Sequence, residues 1–224
     1  MIEIIYKTKN LVVIYKPSGI PAQSDLSGDD DAMKLTSSEL EKMGEGSTLF
    51  LIHRLDRVVS GLMVFARDKN TAAALSDLVS RHDMTKEYYA VIHGKTDSGI
   101  MKDYLYKDSA LGKAFVTDKK RVGAKEAALE YESLDTVSVN GNVLSLVKIN
   151  LKTGRFHQIR AQFSSRKLPL VGDKKYGSKD FRAKYPSLVA ARLVFNINGE
   201  EIDLHRLPDL DKYPWSLFAK EKYR

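Results

Sequence analysis

Short segments of strand-like composition outnumber helical segments along this 224-residue chain, and the two kinds do not alternate regularly. The strand candidates are rich in apolar, β-branched and aromatic residues and are bounded mostly by turn residues, a pattern typical of β-structure. They are Ile2–Tyr6, Leu11–Tyr15, Leu62–Ala66, Glu87–Ile92, Ala127–Leu134, Val143–Ile149, Leu188–Ile197 and Glu201–His205. Because a regular β-α-β array is absent, the sequence predicts an α+β or mixed fold class. No Pro-, Gly- or Ser-rich linker divides the chain, so a single domain over residues 1–224 is expected.

Turn and cap signals refine this prediction. Asn198-Gly199 between the last two strand candidates indicates a β-hairpin. Asp68 has the position of an N-cap for a helix that reaches about His82, with Leu75, Leu78, Val79 and His82 on one stripe. Further helices are predicted over Ala32–Met43, Gly154–Arg166 and Pro214–Tyr223.

Charge and cysteine content limit the possible functions. Lys and Arg number 36 against 29 Asp and Glu, a net charge of +7. An excess of this size suits an anionic partner such as nucleic acid, although many metabolic enzymes share it. The chain has no cysteine, which excludes disulfides, cysteine-ligated zinc, iron–sulfur clusters and thiol nucleophiles.

The usual cofactor motifs are missing. There is no GxxxxGK[ST] loop, no GxGxxG after a strand and no GxSxG elbow, and the five histidines lack metal-ligand spacing. The triplet Asp29-Asp30-Asp31 is a possible metal ligand set, but a solvated acidic loop over Ser24–Asp31 is the favoured interpretation. We therefore expect no cofactor and no metal. Without a signal peptide or a long apolar window, no membrane association and a cytoplasmic location are expected.

The first segment that needs explaining is His53-Arg54-Leu55-Asp56-Arg57-Val58-Val59-Ser60-Gly61, which lies between two apolar stretches. It is either an ordinary polar loop or a loop that displays Asp56 at a strand end. A carboxylate held there against low-dielectric walls is a candidate nucleophile or base.

The second segment is Leu151-Lys152-Thr153-Gly154-Arg155-Phe156-His157-Gln158-Ile159-Arg160. In a helix, Phe156, Ile159 and Phe163 share a stripe, and Arg160 lies about 40° from Phe156 at its edge. An arginine there either extends its head to solvent or binds a carboxylate, because an unpaired buried charge is costly. A bidentate pair with Asp56 is one possibility that the spacing leaves open.

Together the two segments resemble the RluA family of RNA pseudouridine synthases. That family carries HRLDxxTSGL, matched here by HRLDRVVSGL at 53–62, and TGRxHQIR, matched by TGRFHQIR at 153–160. Four further stretches match in the family's order: NLVVIYKPSGIP at 10–21, KEYYAVIHG at 86–94, PLVGDKKYG at 169–177 and LVAARLVF at 188–195. Since the resemblance begins near residue 10, the small RNA-binding domain that often precedes the catalytic domain is expected to be absent.

The resemblance implies the pseudouridine synthase fold, a mixed and largely antiparallel sheet flanked by helices with an active-site cleft. It implies isomerisation of uridine to pseudouridine in ribosomal or transfer RNA without a cofactor. Asp56 matches the family's catalytic nucleophile or charge stabiliser, Tyr88 its active-site tyrosine, and Arg160 the arginine that pairs with the aspartate. Arg54 matches a residue that helps to extrude the target base, and Arg155 and His157 of TGRFHQIR are also expected to bind RNA.

Two other classes remain open. An RNA-binding factor would keep the fold but not need Asp56, Tyr88 and Arg160, and an enzyme acting on another substrate would carry a coincidental basic surface. A monomer without an obligatory protein partner is the simplest expectation.

Overall fold

The computed structural model describes residues 2–24 and 28–223, and it divides into two compact units. The first unit contains the chain up to Thr85 together with Ala190–Arg206, and the second contains Lys86–Val189 and Leu207–Arg224. The helices are α1 (Ala32–Lys42), α2 (Lys69–Ser80) and α3 (Gln158–Ser165). The strands are β1 (Glu3–Lys7), β2 (Leu11–Lys16), β3 (Phe50–Leu51), β4 (Ser60–Ala66), β5 (Thr85–His93), β6 (Gly99–Asp108), β7 (Lys113–Thr117), β8 (Lys125–Val139), β9 (Asn142–Leu151), β10 (Leu188–Ile197) and β11 (Glu200–His205). The predicted α+β class is confirmed, whereas the prediction of one domain over residues 1–224 stays a prediction.

The strands of the first unit follow the order β1-β2-β4-β10-β11, and the short β3 also pairs with β4. β2 and β4 are antiparallel in a register that runs from Leu11↔Ala66 to Lys16↔Gly61. β10 and β11 form the predicted hairpin, with Asn198 and Gly199 in the left-handed backbone region at φ values of 54° and 81°. The turn dipeptide therefore determined this register, as expected for such a pair.

Strand β4 is the centre of the first unit's core, because all seven of its residues are buried. Leu62, Val64 and Ala66 face a cluster that includes Leu75 of α2 and Phe195 of β10. Alternate residues of a strand point to opposite faces, so a strand buried throughout is covered on both sides.

Gly61 in β4 allows β10 to approach closely. A Cβ at this position would lie 2.3 Å from the carbonyl oxygen and 2.5 Å from the amide nitrogen of Ala190, and the φ of Gly61 is +133°. Any side chain here would both clash with this backbone and be strained in this conformation.

Helix α2 begins at the predicted cap. The Asp68 carboxylate accepts hydrogen bonds from the Thr71 amide (2.9 Å) and the Asn10 side chain (2.8 Å). The helix ends at Ser80, however, and His82 lies beyond it with a φ of 63°. His82 is exposed, so its predicted place on the apolar stripe is wrong, while Leu75 is fully buried as expected.

The second unit has the strand order β5-β9-β8-β6-β7, and each of these pairs is antiparallel. β6 and β7 were not predicted. In β6 the buried residues Met101 and Leu105 are four apart, a spacing that suits one face of a strand and one face of a helix equally well. α3 packs beside this hairpin through a cluster with Leu105, Ala114 and Ala161.

Two predicted helices need correction. The helix predicted over Gly154–Arg166 begins only at Gln158, because His157 is left-handed at φ 51°. The stretch Pro214–Tyr223 is not one helix but contains two single 3-10 turns, Trp215–Leu217 and Lys220–Lys222. No helix within residues 2–24 and 28–223 is long and apolar enough to cross a membrane.

Candidate active site

Asp56 lies in the loop between β3 and β4, in the first unit. The buried side chains of Leu55 and Val59 anchor this loop on either side of the carboxylate, and the Val59 amide donates to the Asp56 carbonyl oxygen (3.0 Å). A second contact joins the loop to the turn after β2, since the Gly19 amide donates to the Arg57 carbonyl (2.7 Å) and Arg57 Nε donates to the Gly19 carbonyl (3.0 Å). Asp56 itself is half-buried, and Arg54 is exposed.

Lys16 holds these two turns together through hydrogen bonds. Its side chain is fully buried, and its ammonium group donates to the carbonyl oxygens of Pro17 (3.0 Å), Ile20 (2.7 Å) and Arg57 (3.3 Å). Three acceptors match the three N–H donors of a lysine. Burial lowers the pKa of Lys16 to about 7, while the negative charge of Asp56 acts to raise it. The Asp56 loop is therefore supported by the hydrogen bonds of a buried lysine.

Lys16 was not predicted as a site residue. The signal was a lysine that ends an otherwise apolar strand directly before Pro17-Ser18-Gly19-Ile20-Pro21. A charged residue in that place must find carbonyl or carboxylate partners, because an uncompensated buried charge is very unfavourable.

Arg160 lies on α3 in the second unit and forms a bidentate pair with Asp173. Its Nε and Nη2 donate to the two carboxylate oxygens at 2.7 and 2.9 Å, and the two side chains are only 4% and 1% exposed. The guanidinium also lies 5.0 Å from the ring centroid of Tyr176. Asp173, in the stretch PLVGDKKYG, was not predicted as a partner. The possible pair between Arg160 and Asp56 stays a prediction, since these residues belong to different units.

His157 packs against the same tyrosine. Tyr176 accepts a hydrogen bond from the Ala114 amide (2.8 Å), and its hydroxyl lies 3.0 Å from His157 Nδ1. Burial lowers the pKa of His157 to about 3, and the positive charges of Arg160, Lys175 and Lys107 act in the same direction. The imidazole is therefore neutral at pH 7, and its Nδ1 shares a hydrogen bond with the Tyr176 hydroxyl.

The rest of the TGRFHQIR motif forms the turn that leads into α3. Gln158 Oε1 accepts from the Thr153 hydroxyl (2.7 Å) and the Arg155 amide (3.0 Å), and Gln158 Nε2 donates to the Ala128 carbonyl (3.1 Å). Arg155 is half-buried and donates through Nε to the Glu126 carbonyl (2.8 Å). These bonds fasten the turn to β8 and explain why the helix begins late. The predicted stripe fails at Phe156, which lies outside α3 and stacks on His157 at 3.8 Å.

Tyr88 is a buried residue of β5, where it pairs with Ile149 of β9. The six predicted site residues thus fall into two groups, with Arg54 and Asp56 in the first unit and the other four in the second. Within the second unit the structure brings His157 and Arg160 together at Tyr176. A common site for all six stays a prediction.

The acidic triplet has structural partners in the first unit. Asp31 caps α1 by accepting from the Lys34 amide (2.8 Å), Asp30 bonds Lys34 Nζ (2.6 Å), and Asp29 forms an ion pair with Arg57. Of the predicted acidic loop Ser24–Asp31, residues 25–27 lie outside the described residues. No group of His, Asp or Glu side chains with metal-site geometry occurs in the part of the chain that the structure describes.

Comparison with known proteins identifies the family. The family model described as RNA pseudouridylate synthase matches residues 10–165. Because this span is more than half of the chain, the chain belongs to the RNA pseudouridylate synthases, and the resemblance to the RluA type is confirmed. Members of this family are isomerases that convert uridine in RNA to pseudouridine.

Curated relatives include enzymes named for two RNA classes. Ribosomal large subunit pseudouridine synthase C of Rickettsia felis is 30% identical over 92% of this chain and 67% of that protein. Ribosomal large subunit pseudouridine synthase D of Borreliella burgdorferi is 30% identical over 84% of this chain, which spans only 58% of that protein. tRNA pseudouridine synthase C of Vibrio cholerae is 28% identical over 79% of this chain and 75% of that protein.

A solved structure shows the same fold. Human RNA Pseudouridylate Synthase Domain Containing 1 superposes with a TM-score of 0.78 at 20% identity, covering 96% of this chain and 86% of that chain. The fold expected from the resemblance is thereby confirmed.

The buried Arg160–Asp173 pair predicts a large loss of stability when one partner is neutralised. Asp173→Asn should lower the free energy of unfolding by about 3–5 kcal/mol, because the buried guanidinium loses the negative charge of its bidentate partner. The matched control is Asp203→Asn, which breaks a bidentate pair with Arg192 whose side chains are each 33% exposed, and about 0–1 kcal/mol is expected. Urea unfolding of both variants measures the difference, and equal losses would contradict the account.

The lowered pKa of His157 predicts a pH dependence. Below its ordinary value of 6.5 the unfolded chain binds a proton that the folded protein, with a pKa of about 3, does not bind. Stability is therefore lost as the pH falls from about 6.5 towards 3. His157→Asn should reduce the fall in unfolding free energy between pH 7.5 and 5.0.

His82→Asn is the control for this experiment, because His82 is an exposed histidine with a similar positive φ. It should retain the pH dependence of the wild type. The interpretation of His157 fails if both variants lose stability on acidification as the unaltered protein does.

Proposed function

We propose that this chain isomerises specific uridines in structured ribosomal or transfer RNA, with Asp56 as its catalytic carboxylate. The observation that carries the proposal is the Asp56 loop, which holds a half-buried carboxylate between two buried apolar anchors and is bonded by the Lys16 amine at the Arg57 carbonyl. The names of the relatives support ribosomal and transfer RNA as the substrate class.

The reaction needs a carboxylate at the ribose. The bond from ribose carbon 1 to uracil nitrogen 1 breaks, the base turns, and carbon 5 joins carbon 1, while carbon 5 loses a proton and nitrogen 1 gains one. Substrate and product are isomers, so no oxidant or reductant takes part. A carboxylate stabilises the oxocarbenium-like ribose that such bond cleavage creates, either by adding to carbon 1 or by its charge. Alternatively, Asp56 assists removal of a ribose proton.

Tyr88 and Arg160 are proposed to complete the catalytic set. Tyr88 stacks on the uracil or helps to remove the carbon 5 proton, a role for which a buried tyrosine on a strand paired with β9 is rigidly placed. Arg160, held in its orientation by Asp173, keeps the catalytic carboxylate ionised.

Arg54, Arg155 and His157 are proposed to contact the RNA. Exposed Arg54 enters the base stack and replaces the stacking that is lost when the target nucleotide is extruded. His157 is neutral, so its contact is a hydrogen bond and not an ion pair. Arg155 contributes charge next to it. We further propose a monomer that acts in the cytoplasm, without a cofactor or an obligatory protein partner.

The proposal predicts specific losses of pseudouridine in cells. RNA from cells that lack the gene, from cells with the wild-type gene and from cells with Asp56→Ala is mapped for pseudouridine at nucleotide resolution. We expect one or a few sites to disappear in both the deletion strain and the Asp56→Ala strain.

Asp77→Asn is the control, because Asp77 lies on α2 and forms an exposed ion pair with Arg81, directly after that helix. That strain should keep every site. If Asp56→Ala keeps the sites that the deletion removes, the protein acts by binding and the catalytic proposal is wrong.

A further inference from the structure

Phe181 is an aromatic side chain left in solvent on a well-anchored loop of the second unit. It is 71% exposed, and Lys174 lies over its ring with Nζ 5.0 Å from the centroid. A single exposed apolar residue is common, but the residues on both sides of Phe181 are held in place.

Ser178 anchors the start of this loop. Its hydroxyl is 3.0 Å from His93 Nε2 and accepts from the amides of Gly172 (3.1 Å) and Asp180 (3.3 Å). The serine is itself buried. The backbone immediately before Phe181 is therefore tied to β5 and to the chain near Asp173.

Asp180, Arg182 and Tyr213 anchor the other side. The two carboxylate oxygens of Asp180 accept from Arg182 Nε (3.1 Å) and Nη2 (2.7 Å), and the Tyr213 hydroxyl also donates to this carboxylate. The Arg182 guanidinium lies 4.2 Å from the centroid of the Tyr213 ring. Phe181 thus projects from a short segment whose two neighbours in sequence are bonded to each other.

The surroundings of Phe181 are cationic. It lines an open cleft of about 780 Å³ together with His93, Lys167, Lys179, Asp180 and Arg182. Asp180 is the one acid among the described lining residues, and its ion pair with Arg182 leaves these two side chains neutral as a pair. Lys174 adds a further charge above the ring. An exposed ring among three lysines with no acidic partner in the lining suits a base with its phosphates better than an apolar protein surface.

The same stretch of chain also holds Arg160. Asp173, the bidentate partner of Arg160, directly precedes the 3-10 turn Lys174–Tyr176, and Phe181 follows five residues after that turn. Within the second unit, therefore, one continuous segment carries both the carboxylate that orients Arg160 and the exposed ring.

We propose that Phe181 stacks on an unpaired base that flanks the target uridine, with Lys167, Lys174 and Lys179 contacting the adjacent phosphates. This inference rests on the proposed function, because it takes RNA as the substrate. It adds a specificity-determining position, since the stacking ring selects RNA in which a base next to the target is free to leave its helix.

The test compares Phe181→Ala with Phe181→Trp. The RNA is ribosomal and transfer RNA purified from cells that lack the gene, and single-turnover pseudouridine formation is followed against RNA concentration. Phe181→Ala should raise the half-saturating RNA concentration about tenfold and leave the saturated rate unchanged, because stacking on one base is worth about 1–3 kcal/mol. Phe181→Trp should restore the wild-type value, since a larger ring stacks equally well.

Phe115→Ala is the matched control. Phe115 is also an exposed phenylalanine with a lysine over its ring, Lys113 at 5.5 Å, but it lies on β7. This variant should bind as the wild type does. Thermal unfolding of all three variants is expected to be unchanged, which separates a contact with RNA from a structural role.

A second probe keeps this test independent of the proposed function. Ultraviolet cross-linking to a 12-nucleotide unstructured RNA, followed by mass spectrometry, should place a cross-link on the peptide that contains Phe181. The inference is overturned if Phe181→Ala and Phe115→Ala give the same half-saturating concentration. It is also overturned if Phe181→Ala changes the molar mass of the protein in light scattering but not its half-saturating RNA concentration. That result would show that a second copy of the chain or another protein covers the ring. Failure of the wild type to form pseudouridine would instead refute the proposed function.

Discussion

The geometry of the Asp56 loop depends on the hydrogen bonds that the buried Lys16 side chain donates to three carbonyl oxygens. A cation without solvent must be fully hydrogen bonded, and here its three donors reach carbonyl oxygens in two different turns. The positions of Pro17, Ile20 and Arg57 are thereby coupled to one atom. Asp56 directly precedes Arg57, so the backbone that carries its carboxylate is held by the same hydrogen bonds. Burial lowers the pKa of Lys16, and the negative charge of Asp56 offsets part of this decrease.

The second unit positions its polar residues by the same principle. Buried Arg160 is bonded by the two oxygens of Asp173, and His157 remains neutral because burial and, to a smaller extent, cationic neighbours disfavour a further charge. Tyr176 connects the two, since its ring faces the guanidinium and its hydroxyl bonds the imidazole. Preorganisation of this kind lets an enzyme orient charged groups without moving them during the reaction.

The sequence predicted the family, the α+β class, the hairpin at Asn198-Gly199 and the cap at Asp68, because each depends on local residue patterns. It did not identify Asp173 as the partner of Arg160, because no local pattern links an arginine in one helix to an aspartate in the next loop. It did not identify Lys16 as buried, because a lysine at the end of a strand is usually exposed. It placed the start of α3 too early because His157 is left-handed and the Gln158 side chain accepts from the Arg155 amide before the helix begins. β6 was missed because its buried residues, Met101 and Leu105, fit two periodicities. Phe181 gave no periodic signal at all.

The most direct test of the central claim is the single-turnover rate of pseudouridine formation by purified Asp56→Asn protein, with RNA affinity measured on the same preparation. The amide nearly preserves the shape of the side chain and removes its charge. The account predicts a rate below detection with an RNA dissociation constant close to that of the wild type, because Asp56 acts in the chemical step. A rate close to that of the wild type would show that another group performs the chemistry and would contradict the account.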